Sequence, residues 1–375
     1  MNQPEQLPKD GVEIVDSQDP VQPLSQTKSK KHWIIFGVVL LILIAAGITS
    51  WALIGRNTTN NNLNSSEENK SISTNTSQST NTQVDSIPNA INPVNPEAIP
   101  LGTGKVSTTP QLGYVDFCNY KGASVAAEPS EPWINATNNT WDFNTKPTVE
   151  GSVSWAGSAY YTATLSGSTR TISTNDLPIN HDTGIFPISK SDPAYHYDGN
   201  PNHIVAQPTT WKLQANPTAA ASPSCTSDGP VGVLSDGAFL FNALDADNRD
   251  AGATEILDQW QGHPDVGSTY HHHTVPSYLL SEYSAKSSST LVGYAIDGYG
   301  IYIERDASGN LLTDANLDVC HGRTSEVMWD GKLTNMYHYD ATMEYPYTVG
   351  CFHGTPIQIN MNNGGNSGTN KPPKP

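Results

Sequence analysis

The strongest hydrophobic signal is a single run of 23 uncharged residues, 33–55, "WIIFGVVLLILIAAGITSWALIG". It is long enough to cross a bilayer as one helix, and Trp33 and Trp51 stand near its ends, where amphipathic rings favour the interface. The run is too long for the apolar part of a cleaved signal peptide, and no small-residue cleavage site follows it closely. On either side the apolar pattern stops. Residues 1–32 are polar and read as a disordered tail. Residues 56–110 are rich in Asn, Ser, Thr and Gln, a composition that buries too little apolar area to offset the entropy of ordering, and read as a flexible stalk. Residues 361–375 read as a second disordered tail.

Between 111 and 360 the pattern changes again. Short alternating or β-branched runs recur, such as "GSVSWAGSAYYTATL", "TRTIST", "VGVLSDGAFLF" and "LVGYAIDGYGIYIE", and Gly, Pro, Asn and Asp separate them. Helical periodicity is scarce, with one or two turns expected near 251–259. The pattern predicts a mainly β domain, an antiparallel sandwich or barrel-like arrangement with long loops, of a size that supports its own core. "RDASGN", 305–310, reads as a hairpin turn between "GIYIE" and "LLTD".

Charge fixes an orientation. Lys28, Lys30 and Lys31 precede the apolar run and Arg56 alone follows it closely. The positive-inside rule therefore predicts a cytoplasmic N-terminus and an extracellular 111–360 domain, with the membrane as the chain's one expected partner. The stalk carries N-x-S/T sequons at Asn57, Asn64, Asn69 and Asn75. The formal net charge of −17 arises in the outer domain, where 27 Asp and Glu face 10 Lys and Arg. Such a surface repels phosphate backbones, so nucleic acid is not an expected partner, whereas metal cations suit it. The extracellular ligand stays open.

All four cysteines lie in the outer domain. An even count in an oxidising compartment reads as two disulfides. Cys320 and Cys351 bracket one loop, which predicts the pairs Cys320–Cys351 and Cys118–Cys225. No CxxC cluster points to a thiolate zinc site.

Tyr-His occurs three times, in "AYHYDGNPNH", "TYHHHTVPSYLL" and "NMYHYDATMEYPYTVGCFHG". The second and third share a prelude. "LDQWQGHPDVGSTYHHHTVP" starts at Leu257 and "LDVCHGRTSEVMWDGKLTNMYHYDATMEYP" at Leu317, and both read Leu-Asp, three residues, Gly, a basic residue, then Tyr-His. This echo predicts two related units facing one another. The first occurrence, Tyr195 to Asp198, lacks the prelude. On a strand, residues two apart share a face. His271 and His273 would share one, and so would His338 and Asp340. Brought together they would form a set of three nitrogens and one oxygen suited to Zn or another divalent metal. His263 and His353 are near in sequence and are expected either as further ligands or as donors that orient the ligands. The opposing expectation is that the histidines bond loop carbonyls and pack with tyrosine. "FNALDADNRDAGATE" fails the calcium-loop spacing, with Arg249 fifth and Ile256 twelfth, and reads as a surface turn. Asp297 reads as a hairpin-turn residue. No nucleophile elbow, phosphate loop or dinucleotide fingerprint is present.

Several stretches together resemble the YHYH-domain proteins. They are "TRTISTNDLPINHDTGIFP", with Asp176 where Gly is usual, "GNPNHIVAQ", "GPVGVLSDGAFLFN", "GHPDVGSTYHHH", "GYAIDGYGIY", "LDVCHGRT" and "YHYDATMEYPYTVGCFHG". Trp260 stands where a Cys is frequent and Arg323 where a His is frequent. His272 replaces the second Tyr of the tetrad in one unit, and Asp340 replaces its second His in the other. The resemblance implies a secreted or surface domain and no agreed activity. Three functions compete: a membrane-anchored domain that binds a metal or small ligand, a metal-assisted hydrolase or oxidoreductase, and a structural or adhesive module in which the Tyr-His units only pack.

Overall fold

The computed structural model describes residues 87–122 and 130–359. The expected membrane segment 33–55, both expected tails and most of the expected stalk lie outside the described residues. Among the described residues no helix is long and apolar enough to cross a membrane. The chain there is mainly β, with chiefly antiparallel sheets and few helices.

Short strands come first: β1 (Ile99–Pro100), β2 (Val106–Ser107), β3 (Val115–Asp116), β4 (Ile134–Asn135) and β5 (Thr140–Trp141). They correct one expectation, since a stalk reaching residue 110 would leave 99–107 exposed. Ile99, Leu101 and Val106 are instead buried, in a cluster with Trp133, Trp141, Tyr345 and Tyr347. The apolar residues are few but all point inward, and composition averaged over the polar stretch hid them.

Next, β6 (Tyr161–Ser166), β7 (Thr169–Thr174) and β8 (Thr209–Gln214) form a three-stranded antiparallel sheet. β7 alternates half-buried and buried residues, the period-two pattern of a strand with one face on a core. β9 (Ala219–Ser224) leads to the main sheet. Its strands are β10 (Pro230–Leu234), β11 (Phe239–Phe241), β12 (Gly262–Pro264), β13 (Tyr270–His272), β14 (Ser288–Ala295), β15 (Gly300–Arg305), β16 (Gly322–Trp329) and β17 (Lys332–Asp340). β18 (Phe352–Gly354) pairs with β9. Two short helices interrupt the sheet strands. One is α1 (Ala251–Thr254), capped by the Asp250 side chain, and the other is α2 (Ser277–Glu282). The first was expected; the second was not.

The main sheet runs β12-β13-β11-β10-β14-β15-β17-β16 and is open. The three-stranded sheet packs on it, with Ile172, Trp211 and Leu213 joining Val231, Val233, Phe239 and Val292 in one core. Trp211 stacks on Phe239 with ring centroids 5.1 Å apart.

The order of the main sheet reads as two halves placed back to back. In each half a hairpin (β10–β11, β14–β15) is followed by a second one (β12–β13, β16–β17) whose last strand pairs parallel to the first hairpin. Leu240 lies opposite His272 in one half, and Ile301 lies opposite Tyr339 in the other. The preludes fold alike. Asp258 Oδ1 accepts the N–H groups of Trp260 and Gly262, and Asp318 Oδ1 accepts those of Cys320 and Gly322. Gln261 and His321 both hold a left-handed backbone, φ 65° and 70°. The Tyr270 hydroxyl donates to Asp258 at 2.9 Å and the Tyr337 hydroxyl to Asp318 at 3.1 Å. A Cβ on Gly262 would collide with the Tyr270 ring, and one on Gly322 with Tyr337. Glycine is therefore required at both places for the tyrosine to reach its aspartate.

Candidate metal centre

The sequence echo is real, but the two Tyr-His units do not face each other. β13 and β17 are separated by β11, β10, β14 and β15. Five steps at about 4.8 Å per strand place them roughly 24 Å apart. The expected four-ligand set of His271, His273, His338 and Asp340 therefore does not assemble. Period-two spacing paired residues correctly within each unit, but it carries no information about which strands lie between units.

Each unit builds its own cluster. In the first, β12 and β13 are antiparallel with His263 opposite His271, so their side chains meet across the pair. His273 follows two residues later on the same face. Glu255 enters from the C-terminal end of α1. His263 Nε2 lies 3.1 Å from His271 Nε2, and His271 Nε2 lies 3.1 Å from His273 Nε2. Glu255 Oε2 closes the ring, 3.0 Å from His263 Nε2 and 3.2 Å from His273 Nε2. Donor atoms held about 2.0–2.1 Å from one ion sit about 2.9–3.4 Å apart between square and tetrahedral limits, and every edge of this ring falls in that range.

The other ring nitrogens fix the tautomers. A carbonyl oxygen only accepts, so His271 Nδ1 donates to Thr269 O at 3.1 Å and His273 Nδ1 to Asn242 O at 2.6 Å. In the neutral rings both Nε2 atoms then carry lone pairs, and these point at each other. Metal-bound histidines commonly have this carbonyl-anchored arrangement. Burial and the neighbouring His263 and His273 push the His271 pKa well below the usual imidazole range. Burial would raise the Glu255 carboxyl, but His263 and His273 outweigh it and hold it well below its usual range. His263 shows the complementary effect: burial opposes its charge, yet Glu255 raises its pKa. Phe241 stacks on the His271 ring at 3.9 Å and backs it. The three histidines are almost fully enclosed; the Glu255 side chain keeps 23% exposure, but its Oε2, the atom that faces them, is buried.

In the second unit Arg323 occupies the strand position of His263, opposite His338. Its Nη1 donates to Glu304 Oε2 at 2.6 Å. His338 Nε2 lies 3.5 Å from Glu304 Oε2 and 3.7 Å from Asp340 Oδ2. The guanidinium thus pairs with Glu304. Burial, then the charge of Glu304, pushes the Asp340 pKa well above the usual carboxylate range, and the charge of Arg323 opposes the rise.

Of the two alternatives left open for His263 and His353, His263 takes the first and is a member of the ring itself. His353 lies on the opposite side of its unit, stacked on Tyr337 at 3.7 Å and 9°. The tyrosines do point away from the histidines, as alternation requires. Tyr195 to Asp198 belongs to neither cluster, since 193–196 is a 3-10 turn. Asp245 is a turn residue, accepting the N–H groups of Asp247 and Arg249. Asp297 sits in its hairpin turn but also accepts the Tyr339 hydroxyl at 2.6 Å. Both expected disulfides are present, Cys118–Cys225 and Cys320–Cys351. Sequence reasoning met Glu255 only as the end of the stretch that fails the calcium-loop spacing, and missed Glu304. Neither stands in a motif, and both reach their clusters through tertiary packing alone.

Residues 210–311 match the family model described as YHYH protein. A YHYH domain is present. The match covers the first histidine cluster and ends before the Tyr337–Asp340 tetrad, so the second unit of the echo lies beyond it. No curated protein and no solved structure matches the chain.

Proposed function

We propose that the YHYH domain of this chain binds one divalent first-row metal ion, zinc above all, through His263, His271 and His273, with Glu255 as the fourth ligand. The observation that carries the reading is the convergence of three buried Nε2 atoms on a carboxylate, two of them with their Nδ1 atoms anchored by carbonyls. Neutral lone pairs at these separations repel unless a cation or a proton lies between them, and an all-imidazole and carboxylate set suits zinc outside the cell, where thiols oxidise.

The same proposal includes display of the domain outside the cell by the 33–55 segment. Its support is the apolar length and the lysines that precede it. Protease added to intact cells is expected to release the domain by cutting within the polar stretch after the apolar run; a domain protected until the cells are lysed contradicts the orientation.

For the metal, the full-length chain is stripped with chelator, reloaded with zinc and analysed for bound metal. The substitution pair His271→Gln and His273→Gln is expected to lose one zinc per chain. Equal zinc content in wild type and the double variant sinks the assignment.

A further inference from the structure

β13 carries histidines on both faces. His271 and His273 form the ring described above, while His272 points through the other face of the sheet. There it meets Asp236, in the β10–β11 turn, and His181, from the loop after β7. His272 Nε2 and His181 Nε2 each lie 3.3 Å from Asp236 Oδ2. His272 Nδ1 donates to Gln261 O at 2.9 Å and His181 Nδ1 to Asp182 O at 2.6 Å. In the neutral rings both Nε2 atoms therefore offer lone pairs, not protons, to an anionic oxygen.

The remaining neighbours do not resolve this. Asp236 Oδ1 is taken by the Ala238 N–H at 2.9 Å. The Tyr278 hydroxyl has one hydrogen. It lies 3.1 Å from Asn180 Oδ1 and 3.4 Å from Asp236 Oδ2, so the nearer acceptor is the better one. His272 Nε2 is fully buried and has no hydrogen-bond partner.

The other half of the sheet shows how the same turn is satisfied without a cation. Asp297 is the counterpart of Asp236, and Tyr339 the counterpart of His272 in strand register. Asp297 Oδ2 accepts the Tyr339 hydroxyl at 2.6 Å and the Gly354 N–H at 2.9 Å, both neutral donors. In the first half two imidazoles replace those donors.

We propose that His181, Asp236 and His272 form a second divalent-metal site, of the two-imidazole and one-carboxylate type, independent of the His263–His271–His273 ring. Such a set leaves coordination positions open and suits first-row ions. The nitrogen-to-oxygen separations match the roughly 3.3–3.4 Å edge of a tetrahedron with ligands about 2.0–2.1 Å from the ion. Trp260 stacks on His181 at 5.5 Å and 20°, and with Tyr278 it forms the aromatic rim on the more open side.

The test uses the full-length chain, stripped with chelator and titrated with zinc and, separately, with cobalt followed by visible absorption. Wild type is expected to take up two equivalents. His272→Tyr copies the residue of the other half and supplies a neutral donor to Asp236; it is expected to take up one, and Asp236→Asn the same. The pair His271→Gln and His273→Gln is expected to keep the equivalent that His272→Tyr loses. If that pair loses its metal but His272→Tyr binds as much as wild type, the Asp236 cluster is a protonated ion pair and this proposal fails while the first stands. If only His272→Tyr loses metal, the first fails and this one stands. Loss of both ions from either variant, with both disulfides intact by thiol assay, overturns the independence claimed here.

Discussion

Val233 and Tyr294 lie directly opposite one another where β10 and β14 pair antiparallel. The pairs on either side of them are Gly232 with Ala295 and Leu234 with Gly293. Val233 and Tyr294 are also counterparts in the two halves of the sheet, as are Gly232 with Gly293 and Leu234 with Ala295. The two residues therefore mark a local twofold axis that relates the first histidine cluster to the Arg323 cluster. One construction has been used twice, with different charge chemistry in each copy.

The axis explains Arg323. Its guanidinium is the cation of the second copy, paired with a fully buried Glu304 side chain. Arg323→Leu strips that charge and is expected to cost about 3–5 kcal/mol, the usual penalty for orphaning a buried ion-pair partner. Arg323→His restores the residue of the first copy beside His338, Glu304 and Asp340, and is expected to add one zinc per chain. Denaturant unfolding and metal analysis of the two variants check both statements. A stability loss below about 1 kcal/mol in Arg323→Leu contradicts the role given to the guanidinium.

Asp176 offers a pH test at a carboxyl that belongs to none of the clusters, although the charge of Asp236 acts on it. Its backbone is left-handed, φ 61°, which accounts for the glycine that the family resemblance places there and for the tolerance of Asp, a residue that visits this region. Its Oδ1 accepts the Phe239 N–H at 2.8 Å while Oδ2 is buried without a partner. Burial pushes its pKa well above the usual carboxylate range. A raised folded-state pKa means that the folded chain holds this proton more tightly than the unfolded chain. Its stabilising contribution is full below the unfolded value of about 3.9 and is lost as pH rises through the folded value. Asp176→Asn keeps the shape and the acceptor without titrating. The variant is expected to be more stable than wild type at pH 7, with the gain shrinking toward pH 4. Urea unfolding at the two pH values checks it; a gain that grows on acidification contradicts the account.

The two disulfides close loops of different length, with sequence separations of 107 and 31 residues. In the chain-entropy view the longer loop contributes about 4.7 kcal/mol and the shorter about 3.7 kcal/mol. Replacing Cys118 and Cys225 together by Ser is expected to lower stability more than replacing Cys320 and Cys351. Denaturant midpoints of the two double variants give the order directly, and the reverse order contradicts the entropic reading.

Much of the β character was legible in the chain, because β10, β14 and β15 are short apolar runs between turn residues and Gly262 and Gly322 recur at the same step of their preludes. The disulfide pairs were legible because two cysteines bracket one unit. The histidine ring was half legible: His271 and His273 follow from strand alternation, but His263 joins them through its register with His271, and Glu255 through the placement of α1. Asp236 and His181 each lie in a family-like stretch, but nothing in either stretch pairs them, since 55 residues separate them and no common motif spans the gap. The error over His338 and Asp340 has the same origin. An internal echo reports that two units are alike, not that they meet.

Crystals of the zinc-loaded chain, measured at the zinc absorption edge, test the central claim most directly. The account predicts an anomalous peak about 2.0–2.1 Å from the Nε2 atoms of His263, His271 and His273, with Glu255 Oε2 as the fourth neighbour. Zinc found only on surface carboxylates, or no peak between those three imidazoles in protein that has bound zinc, would contradict it.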